Sequence, residues 1–337
     1  MEPGAVPLAV TVLAPRANPL LLGHASAEAA FGDALSASRV HHAWLITGPP
    51  GIGKETLAYR MARRLFSRGA DAHNPASPVF RRVAEATHSD LLTVERGWDD
   101  KNKRLRPEIV VDTVRAVPEF LHLTPAEGGW RVVVVNGPEA MNRNAANALL
   151  KVLEEPPARA VVLLACAAPG RLLPTIRSRC RLLRLQPLGQ ADTAAAMAAA
   201  MPGTDANWAE LAALADGSPG RGLALAGQGV EVSALVAQVL AAPAMTITRA
   251  HEVADKVLRH DGFAPFMTLL QDGVARLVRD AVRGRAAVPQ AALVAQRPLA
   301  AWADLWHGLG RIQGETERSH LDKRYAIVSA LMHLKAP

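Results

Sequence analysis

Cysteine is scarce in this chain: among 337 residues only Cys166 and Cys180 are cysteines. Two thiols cannot build a disulfide framework or a four-cysteine zinc site. Aromatic residues make up 4% of the chain, which gives little support to a stacking platform for single-stranded nucleic acid. Half of the residues are hydrophobic, yet no apolar run is long enough for a bilayer-spanning helix. The opening stretch, Met1–Ala14, is mildly apolar without a basic leading segment, so no signal peptide is expected. Together these absences predict a cytoplasmic protein with no membrane partner.

What the chain does have is length and positive charge. A length of 337 residues allows two or three domains with sizeable cores. The formal net charge of +7 and a pI near 9.9 suit work close to nucleic acid. They suit equally well a chain that is simply rich in arginine and alanine.

The most informative stretch is Gly48-Pro49-Pro50-Gly51-Ile52-Gly53-Lys54-Glu55. It satisfies G-x-x-x-x-G-K and then departs from the phosphate-loop pattern at its last position. An apolar run, Ala43–Thr47, precedes it and a helical pattern from Thr56 follows, which is the strand–loop–helix setting the motif requires. Glycines there let backbone N–H groups turn toward phosphate oxygens, and the helix N-terminus adds partial positive charge. Gly48, Gly51, Gly53 and Lys54 are therefore the candidate cradle. Glu55 stands where a Ser or Thr hydroxyl would ligate Mg²⁺, and Thr56 is one residue late, turned by about 100° on a helix. A second hydrolytic position fails as well. The apolar run Arg131–Val135 is expected to deliver a carboxylate at its end to hold Mg²⁺ and orient water. Asn136-Gly137-Pro138 stands there instead, and Glu139 lies past a proline turn. ATP binding is thus possible and vestigial, and no cofactor is required.

The order of elements predicts an α/β fold. Strands are expected near 43–47, 91–94, 131–135, 160–165 and 181–185, with helices between them, which indicates a parallel sheet. Residues 1–22 read as an irregular arm, 67–79 as a connector, and 96–106 as a polar excursion. After Pro187 the chain turns Ala-rich and helical, with a turn at Gly217-Ser218-Pro219-Gly220, and beyond about 230 only helical spacing remains. The expected division is a phosphate-loop domain at 1–187, a small helical lid at 188–229 and a helical collar domain at 230–337.

Two further strings carry a family resemblance. Asn147-Ala148-Leu149-Leu150-Lys151-Val152-Leu153-Glu154-Glu155-Pro156-Pro157, followed by Ser178-Arg179-Cys180, resembles the AAA+ subunits of bacterial clamp loaders. His41-His42-Ala43 and the Gly217–Gly220 turn extend the likeness over nearly the whole chain. The failed nucleotide positions resemble the non-motor member of that set, the alternative being an ATP-hydrolysing gamma- or tau-like motor. The resemblance implies that Arg179, within Ser178-Arg179-Cys180, is an arginine finger for a neighbouring subunit's ATP site. The competing reading of Arg177, Arg179, Arg181 and Arg184 is a solvated basic edge. Arg221 falls where active relatives carry a nucleotide-sensing lid arginine, or is a surface charge. The implied partners are gamma- or tau-like motor subunits and a delta-like subunit, with the sliding clamp and primed DNA met through the complex. The family's four-cysteine zinc module after the first helix is absent. His73 and His88 are too few and too far apart to replace it, so no zinc is expected, and Cys166 and Cys180 read as packing residues.

Overall fold

The computed structural model describes residues 12–335 except 68–71, 101–103, 128, 205, 228–229, 243–244, 260–261, 285–287 and 320. Residues 1–11 of the expected arm, 68–71 of the connector, 101–103 of the polar excursion and the lid's end at 228–229 lie outside the described residues. By contact density the chain forms two compact units, Met1–Ala224 and Leu225–Pro337.

Among its described residues the first unit has seven strands: β1 (Ala43–Thr47), β2 (Leu91–Val94), β3 (Trp98–Asp99), β4 (Arg104–Leu105), β5 (Arg131–Asn136), β6 (Ala160–Cys166) and β7 (Arg181–Arg184). Five of them form one parallel sheet in the order β2-β5-β6-β1-β7, and β3 pairs β4 in a short antiparallel ribbon. Its helices are α1 (Ala25–Ser36), α2 (Lys54–Phe66), α3 (Pro78–Ala84), α4 (Val111–His122), α5 (Arg143–Glu154), α6 (Pro174–Ser178), α7 (Gln190–Ala200) and α8 (Trp208–Ala215). A ninth, α9 (Pro219–Gly227), follows the Gly217-Ser218 bend.

The unbroken apolar runs behave as a sheet covered on both faces demands. Alternate residues of each strand enter opposite cores. Leu45, Val133, Val135, Val162 and Leu164 pack with Val114, Val117, Leu149 and Leu153 of α4 and α5. Trp44, Ile46, Val132, Val134 and Leu163 pack with Phe31, Leu57, Met61 and Leu65 of α1 and α2 on the other face. This covering of a parallel sheet by helices on both faces is the α/β architecture that the order of elements predicts.

Three local features depart from the expectations. Helix α3 begins inside the expected connector, because Ser77 caps it by accepting from the Phe80 amide and Pro78 pre-sets its first turn. The polar excursion contains the β3–β4 ribbon, in register Trp98↔Leu105 and Asp99↔Arg104. The expected turn at Gly217–Gly220 is the entry to α9, with Pro219 at its first position.

The second unit contains helices only among its described residues: α10 (Val230–Ala241), α11 (Ile247–Arg259), α12 (Phe263–Val282), α13 (Val288–Ala295), α14 (Leu299–Ser319) and α15 (Lys323–Lys335). Phe266, Leu269, Leu270, Val274 and Leu277 of α12 are buried at helical spacing, as the sequence pattern predicts. Among the described residues no helix is long and apolar enough to cross a membrane.

Candidate functional site

Loop 48–53 leaves β1 at the C-terminal edge of the sheet, where ligands of open α/β sheets sit. Gly51 has φ +75° and Gly53 φ +101°, left-handed values that a side chain would strain. Gly53 is also the residue from which α2 starts. The backbone of a phosphate cradle is therefore intact. Its surroundings are another matter, since four consecutive loop carbonyls each accept a hydrogen bond. The Lys54 ammonium donates to Pro49 O at 2.7 Å, and the Ser218 hydroxyl to Pro50 O at 2.8 Å. The Gly220 amide donates to Gly51 O at 2.8 Å. His24 Nε2 lies 2.7 Å from Ile52 O and is the protonated ring nitrogen, because a carbonyl can only accept.

The turn before α9 thus lies directly on the loop. A Cβ on Gly51 would come within 2.6 Å of Ser218 Oγ and 3.1 Å of the Arg221 amide nitrogen. A Cβ on Gly220 would come within 2.7 Å of the Gly51 Cα. The Arg221 amide in turn donates to Ser218 O at 3.1 Å, so the backbone of Arg221 is brought beside the loop.

Lys54 is 7% exposed, and burial lowers its pKa against the opposing pull of Glu139 and Glu55. Burial raises the pKa of Glu55, an effect that Lys54 opposes and that Glu95 and Glu139 reinforce. Glu55 occupies the first turn of α2 and Thr56 is buried behind it.

At the end of β5, Asn136 Nδ2 donates to Glu95 Oε2 at 3.2 Å and to the Tyr59 hydroxyl at 3.3 Å. Its Oδ1 is buried without a partner. Tyr59 also meets Thr93 Oγ1 at 3.2 Å. The neutral amide is therefore knitted into a polar cluster, in a position where hydrolysis calls for a carboxylate. Glu139 does not take over that role in this geometry: its Oε1 accepts from the Ala167 amide at 2.9 Å. It lies beside Cys166, whose thiol is pushed up to about 12, first by burial and then by the Glu139 carboxylate. Among the described residues no group of three or more His, Cys, Asp or Glu is placed to hold a metal ion. The position after Lys54 carries a carboxylate and not a hydroxyl, and the end of β5 carries an amide and not a carboxylate.

Ser178-Arg179-Cys180 stands at the opposite edge. Ser178 ends α6, and β7 starts at Arg181, which pairs with Trp44 near the beginning of β1. The loop follows Thr47, three residues further along the same strand. At roughly 3.3 Å per residue, plus the two residues that separate Arg179 from Arg181, the guanidinium and this chain's own loop lie at different ends of the strands. Arg179 is partly exposed, its Nη1 donating to Thr175 O at 3.0 Å and its Nη2 pairing with Glu154 Oε1 at 2.9 Å. Glu154 closes α5, so the Glu-Glu-Pro-Pro string and the Ser-Arg-Cys string meet in space. Ser178 Oγ donates to Thr175 O and Cys180 Sγ to Ile176 O. Burial raises the Cys180 thiol to about 12.

Sequence reading missed His24, Ser218 and Gly220 as partners of the loop, and Glu154 as the partner of Arg179. Ser218 lies 168 residues from Pro50, and no local signal connects them. Within the Gly217–Gly220 string, the second glycine was a usable hint of close backbone approach.

Residues 23–189 match the family described as DNA polymerase III, delta subunit. A DNA polymerase III subunit delta' of Pseudomonas aeruginosa is 41% identical over 192 residues, covering 56% of this chain and 57% of that one. The subunit delta' of Escherichia coli is 40% identical over 153 residues, 45% of this chain and 44% of that one. The subunit tau of Escherichia coli is 29% identical over 170 residues, 50% of this chain and 25% of that one. The chain spans about half the length of the delta' relatives it matches. Through residues 23–189, which carry the loop, the Asn-Ala-Leu-Leu helix and the Ser-Arg-Cys segment, this chain belongs to the DNA polymerase III delta-prime family of clamp-loader subunits.

Proposed function

We propose that the chain is a non-motor, stator-type delta-prime subunit of a clamp-loader complex. It flanks an ATP-hydrolysing gamma- or tau-like neighbour, supplies Arg179 in trans to that neighbour's ATP, and helps to load the sliding clamp onto primed DNA. A delta-like subunit completes its set of partners, the collar domain at 230–337 holds it in the assembly, and its place is the cytoplasm, at the replisome on the nucleoid. The observation that carries this reading is the separation of Arg179 from its own loop by the length of the sheet: a guanidinium there serves a phosphate on another chain. A guanidinium brought to a transferring phosphoryl group in trans is worth about 10³–10⁵ in rate. Glu55 and Asn136, in place of a hydroxyl and a carboxylate, support a subunit that needs no nucleotide of its own. The higher identity to delta' than to tau of the same organism points the same way.

Two measurements test the reading. The purified chain is expected to show no Mg²⁺-dependent ATP turnover above a Lys54→Ala control; turnover that Lys54→Ala abolishes would place it among the motors. Mixed with its gamma- or tau-like partner, the Arg179→Ala chain is expected to lower ATP hydrolysis by the complex while still assembling with it. Unchanged hydrolysis would reduce Arg179 to a member of a basic edge.

A further inference from the structure

A cavity of about 970 Å³ lies in the first unit at the end of the sheet away from the phosphate loop, and nothing in the reading above uses it. Three of its lining residues, Asp90, Trp130 and Arg159, stand immediately before strands β2, β5 and β6, and two others, Ser36 and Phe66, end α1 and α2. The volume is one that small organic ligands occupy. Leu35, Leu65, Phe66 and Trp130 supply its apolar wall.

His88 lines the same cavity and is 4% exposed. Phe66 covers one face of its ring, with the centroids 3.9 Å apart. Its Nδ1 accepts from the Asp90 amide at 3.2 Å. Burial, and then the charge of Arg82, lowers its pKa against the pull of Glu127 and Asp90. The ring is therefore neutral and carries its proton on Nε2. That nitrogen is buried and has no hydrogen-bond partner among the described residues. With one face on Phe66 and the Nδ1 edge turned to Asp90, the ring has its other face and its Nε2 edge left to line the cavity. A buried N–H without an acceptor is costly, and an occupant that brings an oxygen removes that cost.

The surrounding charges favour an anionic oxygen. Asp90 is already answered by Arg131 at 3.5 Å and by the Ala126 and Glu127 amides at 2.9 and 3.3 Å. Glu127 is answered by both Nη atoms of Arg82. Arg64 has no such partner: its Nη1 donates to the Glu28 carbonyl oxygen at 3.3 Å, and it forms no ion pair among the described residues. A Cβ on Gly32 would come within 2.9 Å of Arg64 Nη2, so the guanidinium is packed against α1. Arg159 adds a second cation to the lining. The carbonyl end of α2 brings partial negative charge to the same place, and Arg63 in that last turn offsets it. We propose that this cavity binds a small organic carboxylate with an apolar body. The carboxylate accepts from His88 Nε2 and pairs with Arg64, and the body lies against Leu65 and Trp130.

The test is isothermal titration calorimetry of the full chain at neutral pH with 1-naphthoate, beside neutral 1-naphthol and cationic 1-naphthylmethylamine. Naphthoate is expected to bind with a Kd below about 1 mM, about tenfold or more tighter than naphthol, and the amine not to bind. His88→Phe keeps a ring on Phe66 and removes the N–H. It is expected to weaken naphthoate at least about tenfold, the loss of one hydrogen bond to a charged group. Arg64→Met is expected to erase the preference for naphthoate over naphthol. A further readout needs no variant: in the wild-type chain one buried histidine Nε2–H NMR signal is expected to move downfield with naphthoate and saturate with the calorimetric Kd. Naphthoate heats equal to those of dilution would overturn the proposal. So would equal binding of naphthol or the amine, equal binding by wild type and a folded His88→Phe chain, or histidine N–H signals that stay in place. The readouts need neither ATP nor a partner subunit, so their failure leaves the role of Arg179 standing, and failure of that role leaves this site standing.

Discussion

Replacing Gly220 by alanine should melt the contact between the phosphate loop and the turn before α9. The new methyl group would meet the Gly51 Cα at 2.7 Å and the Gly51 carbonyl oxygen at 3.0 Å. Both are backbone atoms, which cannot swing aside as a side chain does. The turn must therefore lift, which strains or breaks two hydrogen bonds, Gly220 N to Gly51 O and Ser218 Oγ to Pro50 O. Overpacking of this kind costs about 1–3 kcal/mol, and two hydrogen bonds contribute about 0.5–1.5 kcal/mol each. The sum, about 2–6 kcal/mol, corresponds to a fall in Tm of roughly 4–24 °C for a unit of this size. Differential scanning calorimetry of the full chain reads it directly. Ser218→Ala removes one bond without a clash and should lower Tm by only about 2–4 °C. Gly170→Ala is the control, since its Cβ would meet nothing within 4 Å and the change should be within about 0.5 kcal/mol of neutral. If Gly220→Ala melts within about 1 °C of wild type, the turn is not held against the loop and the account of the site is wrong.

Three further outcomes follow from buried groups. Burial lowers the pKa of His42, His73 and His88 below the ordinary histidine value. Above about pH 6.5 these histidines are neutral folded or unfolded; below it the unfolded chain takes up protons that the folded chain resists. Stability should thus fall between pH 7 and the lowered folded values, by up to about 1.4 kcal/mol per pH unit for each histidine; a Tm that rises on acidification from pH 7 would refute this. Arg131 and Asp90 form a buried pair at 3.5 Å, so Arg131→Met should cost about 3–5 kcal/mol by stranding the carboxylate, whereas a urea midpoint equal to wild type would mean Asp90 is satisfied by the Ala126 and Glu127 amides alone. Both thiols are raised to about 12, so iodoacetamide at pH 8 should label neither Cys166 nor Cys180 in the native chain and both in denaturant; rapid native labelling would show a thiolate that this environment does not support.

Much of the first unit was legible in advance because its strands are buried on both faces. The valines of β5 and the apolar run of β6 need no partner to declare themselves, and the glycine spacing of the loop is a local property of the backbone. The expectation that the metal-binding positions fail rests on single residues, Glu55 and Asn136, at fixed offsets from recognisable elements. The carbonyl bonds that close on Pro49, Pro50, Gly51 and Ile52 were not legible, because two of the donors come from Ser218 and Gly220, far along the chain. The pairing of Arg179 with Glu154 was hidden in a similar way. Each string was visible, and only the fold of α5 and α6 shows that they touch. Helix α3 escaped notice because its residues look like a connector; Ser77 and Pro78 are turn-formers that here cap a helix. The ribbon was read as a polar excursion because two-residue strands leave almost no periodicity to detect.

The sheet has one mechanical consequence of its own. Strand β1 is hydrogen-bonded to β6 on one side and to β7 on the other, and the loop grows from its far end while the Ser-Arg-Cys segment feeds the near end of its neighbour. The spacing between these two ends is set by strand length, at roughly 3.3 Å per residue, and not by the loops attached to them. Such a body works as a spacer of fixed gauge. A disturbance at one end reaches the other only by displacing the whole hydrogen-bonded slab, so mutations that merely lengthen or loosen a surface loop leave the gauge unchanged, and those that shift the β1–β7 register by a residue reset it.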